Sequence, residues 1–390
     1  MTTSVADLIA ADVLTMSDGY RTKRSEHANE GYRILRVADV LNDDVRLDGP
    51  DFVSSEFTKA IGVKAAQAGD VLLTTKGTVG RVAVMPATDQ AVVYSPQLCF
   101  FRVRDTSRLD PRWLSYWFRS GDFMRQASHR KDNTDMAAYI NLADIRSLSL
   151  VLPAIHEQRG IAEVLGALDD KIATNTRIIE GAEALSAAQW SQATADGSSV
   201  PLSDLAEFVN GRAFTKGASG TGRVVIRIAE LNSGLGGSTV RNDIEVGDRY
   251  LARPGDLLFA WSGSLTVHRW FRPEGIVNQH IFKVIPEQDN PMWLVHRALL
   301  QKLAEFKAIA ADKATTMGHI QRRHLDEPVR IPSAEDVARL DGLMTGLWDR
   351  ALAAEVENEQ LIETRDALLP LLMSGRVTVK AGESVVGEVL

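Results

Sequence analysis

Cysteine is nearly absent: Cys99 is the one thiol in 390 residues, so neither an internal disulfide nor a cysteine-cluster zinc site can form. Long apolar runs are missing too. No stretch approaches the roughly 18 uninterrupted apolar residues of a membrane span, and residues 1–10 hold Asp7 but no lysine or arginine. Neither insertion nor secretion is expected, and the expected location is cytoplasmic. The eight histidines never fall at metal-ligand spacing with carboxylates or with the cysteine. Nor is there the basic excess that marks many nucleic-acid binders, since 44 Lys and Arg face 51 Asp and Glu for a net charge of −7. What is present, 45% hydrophobic and 24% charged residues, excludes disordered and fibrous classes and suffices for about two to three globular domains.

The acidity is unevenly spread. Residues 154–190 contain 6 acidic and 3 basic side chains, and residues 333–373 contain 9 acidic and 3 basic. These stretches carry −3 and −6, which leaves +2 for the rest of the chain. The bodies that precede them are therefore slightly basic and compatible with nucleic acid.

The chain is one unit written twice. Ala68-Gly-Asp-Val-Leu-Leu73 recurs as Pro254-Gly-Asp-Leu-Leu-Phe259, an offset that also places Lys76-Gly-Thr78 on Ser262-Gly-Ser264. Phe100-Phe-Arg-Val103 then matches Ile281-Phe-Lys-Val284, and Asp110-Pro-Arg-Trp-Leu114 matches Asn290-Pro-Met-Trp-Leu294. Thr134-Asp-Met136 and Tyr139-Ile-Asn141 correspond to Thr315-Thr-Met317 and His319-Ile-Gln321, and the copies close on Val151-Leu-Pro153 and Arg330-Ile-Pro332. Short β-branched or aromatic segments bounded by Gly, Asp and Pro predict strands over 33–40, 70–75, 79–85 and 98–103, with counterparts over 224–228, 256–261, 265–271 and 281–285. Helices are expected over 111–124 and 291–311, each with a proline near its first turn. Each body thus reads as an α+β globule.

After the closing prolines the pattern turns to long helix. Ile161, Leu165, Leu168, Ile172, Asn175, Ile179, Ala182 and Ser186 alternate spacings of four and three, as do Leu340, Met344, Leu347, Ala351, Ala354, Asn358, Leu361, Arg365, Leu368 and Leu372. Both are coiled-coil seams. An antiparallel pair that sets Asn175 opposite Asn358, two register-fixing amides, also sets Ile161 opposite Leu372. A paired helix of about 30 residues spans about 45 Å. Two similar readers on such a spacer suit a target with two different half-sites about 13 base pairs across.

This combination resembles the specificity (S) subunit of type I restriction-modification systems. Leu152-Pro-Ala-Ile-His-Glu-Gln-Arg159 is similar to the family's proline-then-Glu-Gln start of the first spacer helix, and Leu368-Leu-Pro-Leu-Leu-Met-Ser-Gly-Arg-Val377 to its closing helix. The second helix starts differently, at Ile331-Pro-Ser-Ala-Glu-Asp336 without the Glu-Gln pair, and Pro370 falls in its last turns. The resemblance implies two tandem target-recognition domains over 1–153 and 197–332. Spacer helices over 154–196 and 333–374 would form an antiparallel coiled coil, with a tail over 375–390. It implies a non-catalytic chain that binds double-stranded DNA and docks two methyltransferase (M) subunits. These would use S-adenosylmethionine to make N6-methyladenine at a flipped base. Restriction (R) subunits can join, with ATP and Mg, to translocate and cleave DNA. No Asn-Pro-Pro-aromatic motif of an amino-methyltransferase occurs in this chain.

Candidate DNA contacts sit at the Gly turns and before the closing strands. Lys76, Thr78 and Arg81 share a turn where small residues let the backbone near a phosphate, and Ser262 and Ser264 take the equivalent place; the alternative is a plain β-turn with solvated charges. Gln97, in Tyr94-Ser-Pro-Gln97, corresponds to Asn278, Gln279 and His280; Gln or Asn can pair bidentately with adenine, or can merely cap a strand end. Arg130 and Lys131 in the first body and Arg322 and Arg323 in the second suit phosphates. Trp113, Trp293 and Cys99 read as core. Asn232-Ser-Gly-Leu-Gly-Gly237 lacks the helix of a dinucleotide site, and Glu305-Phe-Lys307 lacks a partner aspartate for nuclease chemistry. Two other readings stay open: a coiled-coil adaptor that does not read DNA, and an enzyme with an unrecognised site.

Overall fold

A computed structural model of the chain describes residues 2–41, 43–76, 79–128, 140–287, 289–312 and 318–390. The chain divides into two compact units, Met1–Lys171 with Leu361–Leu390, and Ile172–Gln360. Among the described residues no helix is long and apolar enough to cross a membrane.

In the first unit the apolar run Leu98–Val103 is an inner strand, flanked by Leu14–Asp18 and Val71–Thr74, with Val82–Val84 beyond, all antiparallel. A second sheet orders His27–Ala28, Phe52–Val53, Tyr32–Leu35 and Val92–Tyr94, the last two parallel. Thr2–Ser4 pairs with Ser149–Val151. Helix Pro111–Arg119 starts on Asp110, whose side chain accepts from the Trp113 N–H at 2.9 Å, and buries Trp113, Leu114, Trp117 and Phe118. The single helix expected over 111–124 is broken at Ser120. That residue is extended (ψ 155°), its hydroxyl donates to the Trp117 carbonyl, and a new helix, Gly121–Ser128, begins.

The second unit repeats this plan in the same order. Ala206–Asn210, Ile281–Pro286, Leu257–Ala260 and Thr266–Arg269 form the antiparallel sheet. Arg241–Asn242, Arg223–Ile226, Gly275–Val277 and Leu251–Ala252 form the smaller sheet, again with one parallel pair. Ser198–Pro201 pairs with Pro328–Ile331, and Met292–Asp312 is the following helix. The strands expected over 33–40 and 224–228 stop early, because Arg36 and Arg227 open a helical turn in which Asp39 and Glu230 accept from their backbone N–H groups.

One duplicated ion pair locks the two sheets of each body together. Asp70 is 1% exposed, accepts from both Nε and Nη2 of Arg102 at 2.7 Å, and takes the Tyr94 hydroxyl at 2.7 Å. In the second unit Asp256 pairs with Lys283 at 2.9 Å, and that ammonium also donates to the Leu251 carbonyl. Each aspartate also accepts from the backbone N–H three residues earlier, Gln67 or Arg253, which closes the turn of the Gly-Asp motif.

The long helices are Ile155–Ala193 and Ala334–Met373. At the start of the first, Gln158 is fully buried, accepts from the Asp110 N–H and donates to the Arg108 and Pro153 carbonyls. The second helix starts instead on Ser333, whose hydroxyl accepts from the Asp336 N–H at 3.1 Å. This substitution explains how a helix without the Glu-Gln pair is still capped. The helix continues through Pro370, an exposed position, and the carbonyl one turn back that loses its N–H partner belongs to Asp366, also exposed. The segment expected as a tail folds as a further helix, Val379–Val389, capped by Thr378 and burying Val386; a β-carbon on Gly382 would meet Val164 and Leu372.

Every seam position named from the heptad pattern is buried or half-buried. In the first unit Arg365 pairs with Asp169 at 3.0 Å. In the second, Asn175 donates to Glu357 at 2.7 Å, while Trp190 shares a core cluster with Leu340, Met344 and Trp348. In the second unit these contacts run in opposite directions along the two helices, so the pairing there is antiparallel. Asn175 thus faces the turn of the second helix that carries Asn358, but the two amides do not bond each other. A carboxylate is the stronger acceptor, so the Asn175 amide turns to Glu357, next to Asn358, and the Oδ1 atoms of both asparagines are buried without a partner. Replacing Asn175 with leucine is therefore expected to raise the unfolding free energy by about 1–2 kcal/mol. Thermal unfolding of the variant checks this, and a lower midpoint would mean that the bond to Glu357 outweighs the unmet carbonyl.

The helices also hold the second body. Arg269, on strand Thr266–Arg269 and 6% exposed, bonds Glu355 at 2.8 Å and Glu183 at 3.2 Å, one carboxylate from each long helix, and lies 4.5 Å from the Trp348 ring. In the first unit Arg112 reaches Asp170, and Arg365 reaches Asp43 as well as Asp169.

Candidate nucleic-acid interface

At one edge of each body four chain segments meet through the same backbone bonds. The Thr75 N–H donates to the Gln97 carbonyl at 3.1 Å, as Trp261 does to His280 at 3.2 Å. Ile140 donates to the Thr75 carbonyl at 3.2 Å, as Ile320 does to that of Trp261 at 3.1 Å. Gly19 donates to Leu98, and Gly211 to Ile281. Both glycines are required by the close approach of the neighbouring chain: a β-carbon would stand 2.1 Å from the Ser95 carbonyl oxygen in one body and 2.3 Å from that of Asn278 in the other.

The named candidates divide on this frame. Gln97 and Lys76 are exposed at the first edge, and Ser264, Gln279, Arg322 and Arg323 at or beside the second. Arg81 is turned inward, its guanidinium donating to the Val40 carbonyl at 3.3 Å, so it serves its own fold. Ser262 and Asn278 are 4% and 6% exposed, which removes both from direct contact with a large ligand. The Ser262 hydroxyl instead lies 3.1 Å from His280 Nδ1, and the Asn278 N–H donates to Ile226. His280 is half-buried beside Trp261, ring centroids 5.7 Å apart, with His319 on the other side of that indole at 6.4 Å. Thr78, Arg130 and Lys131 lie outside the described residues, as do Thr134, Asp135, Met136, Tyr139 and Thr315 to Met317.

Cys99 and the two tryptophans are core. The thiol is 1% exposed and burial pushes it well above the usual range, so it stays protonated. Trp113 and Trp293 are 1% and 2% exposed, and Trp293 donates to Asp341 at 2.8 Å. Glu305 of the Glu-x-Lys sequence pairs with Lys302, a buried lysine that also reaches Glu327, so its carboxylate is engaged in a structural ion network. Among the described residues no group of His, Cys, Asp and Glu could hold a metal ion.

The loops after Gly19 and Gly211 were not singled out by sequence reasoning. They carry Arg21, Lys23 and Arg24 in one body and Arg212 and Lys216 in the other, all exposed and outside any ion pair among the described residues. The signal was available: Gly19 and Gly211 are each followed within five residues by a Thr-Lys pair, Thr22-Lys23 and Thr215-Lys216. Arg212 also lies over the Tyr250 ring at 4.8 Å. Each edge therefore combines exposed cations with exposed amides, the pairing that a phosphate backbone and base edges call for.

The family model of the type I restriction modification DNA specificity domain matches residues 10–184. The chain resembles a type I specificity subunit. A putative type I restriction enzyme MjaX specificity subunit from Methanocaldococcus jannaschii is 22% identical over 175 residues, which is 43% of this chain and 40% of that relative. The match thus spans about two fifths of the curated relative's length. The crystal structure of the S subunit of the type I restriction-modification system from M. genitalium shares the fold, with a TM-score of 0.59 and 13% identity over 95% of each chain. The fold of this chain is thus a known one.

Proposed function

We propose that this chain is the DNA-reading, non-catalytic subunit of a type I restriction-modification complex. Each body reads one half of a bipartite, asymmetric site, and the paired helices set the spacing and dock two methyltransferase subunits. Those partners bind S-adenosylmethionine and methylate adenine N6 on a flipped base. Restriction subunits, where they join, bring ATP and Mg for cleavage.

The observation that carries this reading is the pair of edges. Identical backbone bonds present different side chains, Gln97 in one body against His280 in the other. A scaffold that only joined proteins would have no use for matched frames with unlike tips. The test is co-expression with the methyltransferase partner, followed by mapping of methyladenine by single-molecule sequencing. One two-part motif that disappears when this chain is omitted is the expected result. Methylation that is unchanged without the chain would instead favour the adaptor.

Arg322 and Arg323 give a separate prediction. As phosphate contacts, their double alanine variant is expected to flatten the log–log salt dependence of binding by about 2, since each phosphate contact contributes about 1, while the preferred sequence stays the same. Binding isotherms of the complex at several salt concentrations check it.

A further inference from the structure

The second edge holds a hydrogen-bonded series with no equivalent in the first. Ser262 is buried, and its hydroxyl lies 3.1 Å from His280 Nδ1; the other ring nitrogen, Nε2, lies 3.3 Å from the Gln279 amide nitrogen. An amide nitrogen can only donate, so Nε2 must be the accepting nitrogen. The ring proton then sits on Nδ1 and is donated to the serine oxygen. Trp261 fixes the ring from the side, with its own indole N–H on Asn210 at 2.9 Å.

This order leaves Gln279 with a defined face. One of its two amide hydrogens is committed to His280, while the other and the Oε1 oxygen belong to an exposed side chain. One donor beside one acceptor on a planar amide matches the N7 acceptor and N6 donor that adenine alone shows in the major groove. At the matching places in the first body stand Lys76, Pro96 and Gln97, which cannot build the series.

We propose, resting on the DNA-reading function above, that Gln279 specifies one adenine in the half-site read by the second body. Ser262 and His280 are positioning residues that hold its amide in the adenine-reading orientation. Without them the amide flips freely and reads adenine less sharply.

The test uses the full chain in complex with its methyltransferase partner and a randomised duplex DNA library, with the bound fraction sequenced. Gln279→Glu replaces the donor by an acceptor, so the preference for adenine at one position of one half-site is expected to fall about tenfold, with every other position unchanged. His280→Phe keeps an aromatic ring against Trp261 but removes the acceptor. It is expected to blur the same position by a few-fold at unchanged thermal stability, while His280→Gln, which restores an acceptor, recovers part of the preference. If the wild-type complex enriches a two-part motif and Gln279→Glu leaves all positions intact, or weakens all of them alike, this assignment is overturned while the DNA-reading function stands. If the wild-type complex enriches no sequence at all, that function falls and the assignment falls with it.

Discussion

Asp70→Ala is expected to lower the stability of the first unit by about 3–5 kcal/mol, because it strands Arg102 as a buried, unpaired guanidinium. The carboxylate also holds the Tyr94 hydroxyl and the turn of the Gly-Asp motif, so three groups lose their common partner at once. A companion variant separates charge burial from simple loss of fit. Asp70→Leu combined with Arg102→Met removes both charges and is expected to recover most of the loss, as apolar replacements of buried pairs commonly do. Urea unfolding of the three proteins decides the matter, and a single variant within about 1 kcal/mol of the parent would show that water reaches the arginine. Asp256→Ala should cost less, since Asp256 is about a quarter exposed where Asp70 is buried.

Acidification is expected to destabilise the second unit through His296. This imidazole is 7% exposed, meets the edge of Trp348 at 5.1 Å, and is held down to about 3 by burial and by the nearby Arg269 and Arg297 charges. The unfolded chain therefore takes up a proton near pH 6.5 that the folded protein refuses until about pH 3. Its contribution is fully present above pH 6.5 and is lost as the pH falls through that window, at a slope approaching 1.4 kcal/mol per pH unit from this residue, an order-of-magnitude ceiling of about 4–5 kcal/mol. His268, also lowered by burial and by Arg272, adds in the same direction. Denaturant midpoints at pH 7, 5.5 and 4.5 should fall less steeply for His296→Phe than for the parent. Parallel lines would mean that His296 becomes protonated in the folded state.

The duplication and both seams were legible because apolar spacing survives in the sequence as periodicity, and Leu98–Val103 was placed to the residue because its six positions are continuously buried or nearly so. The outer strands Leu14–Asp18 and Ala206–Asn210 were missed, since each mixes polar and apolar residues and is made a strand by its neighbour. Candidate contacts were legible as positions, not as orientations. Spacing placed Ser262 and Asn278 at the right edge, yet both point inward, and only the tertiary frame shows Gln279 as the outward amide. Likewise the Gly-Asp repeat read as a turn, while its aspartates turned out to anchor the cations Arg102 and Lys283.

Arg269 has a consequence for how such chains diversify. Its guanidinium belongs to the second body, and its two carboxylates belong to one long helix each, whereas in the first unit Arg365 on a long helix reaches an aspartate of the body. Arg112 of the first body also reaches a helix carboxylate, Asp170, so both joints set a cation of the body on a helix carboxylate and the first adds the Arg365–Asp43 pair in the opposite sense. A body removed from the first position would leave Arg365 without Asp43, and one removed from the second would leave Glu183 and Glu355 without Arg269. New combinations should therefore arise by substitution at the same position, or by crossovers placed far enough into the helices to carry the matching charges along.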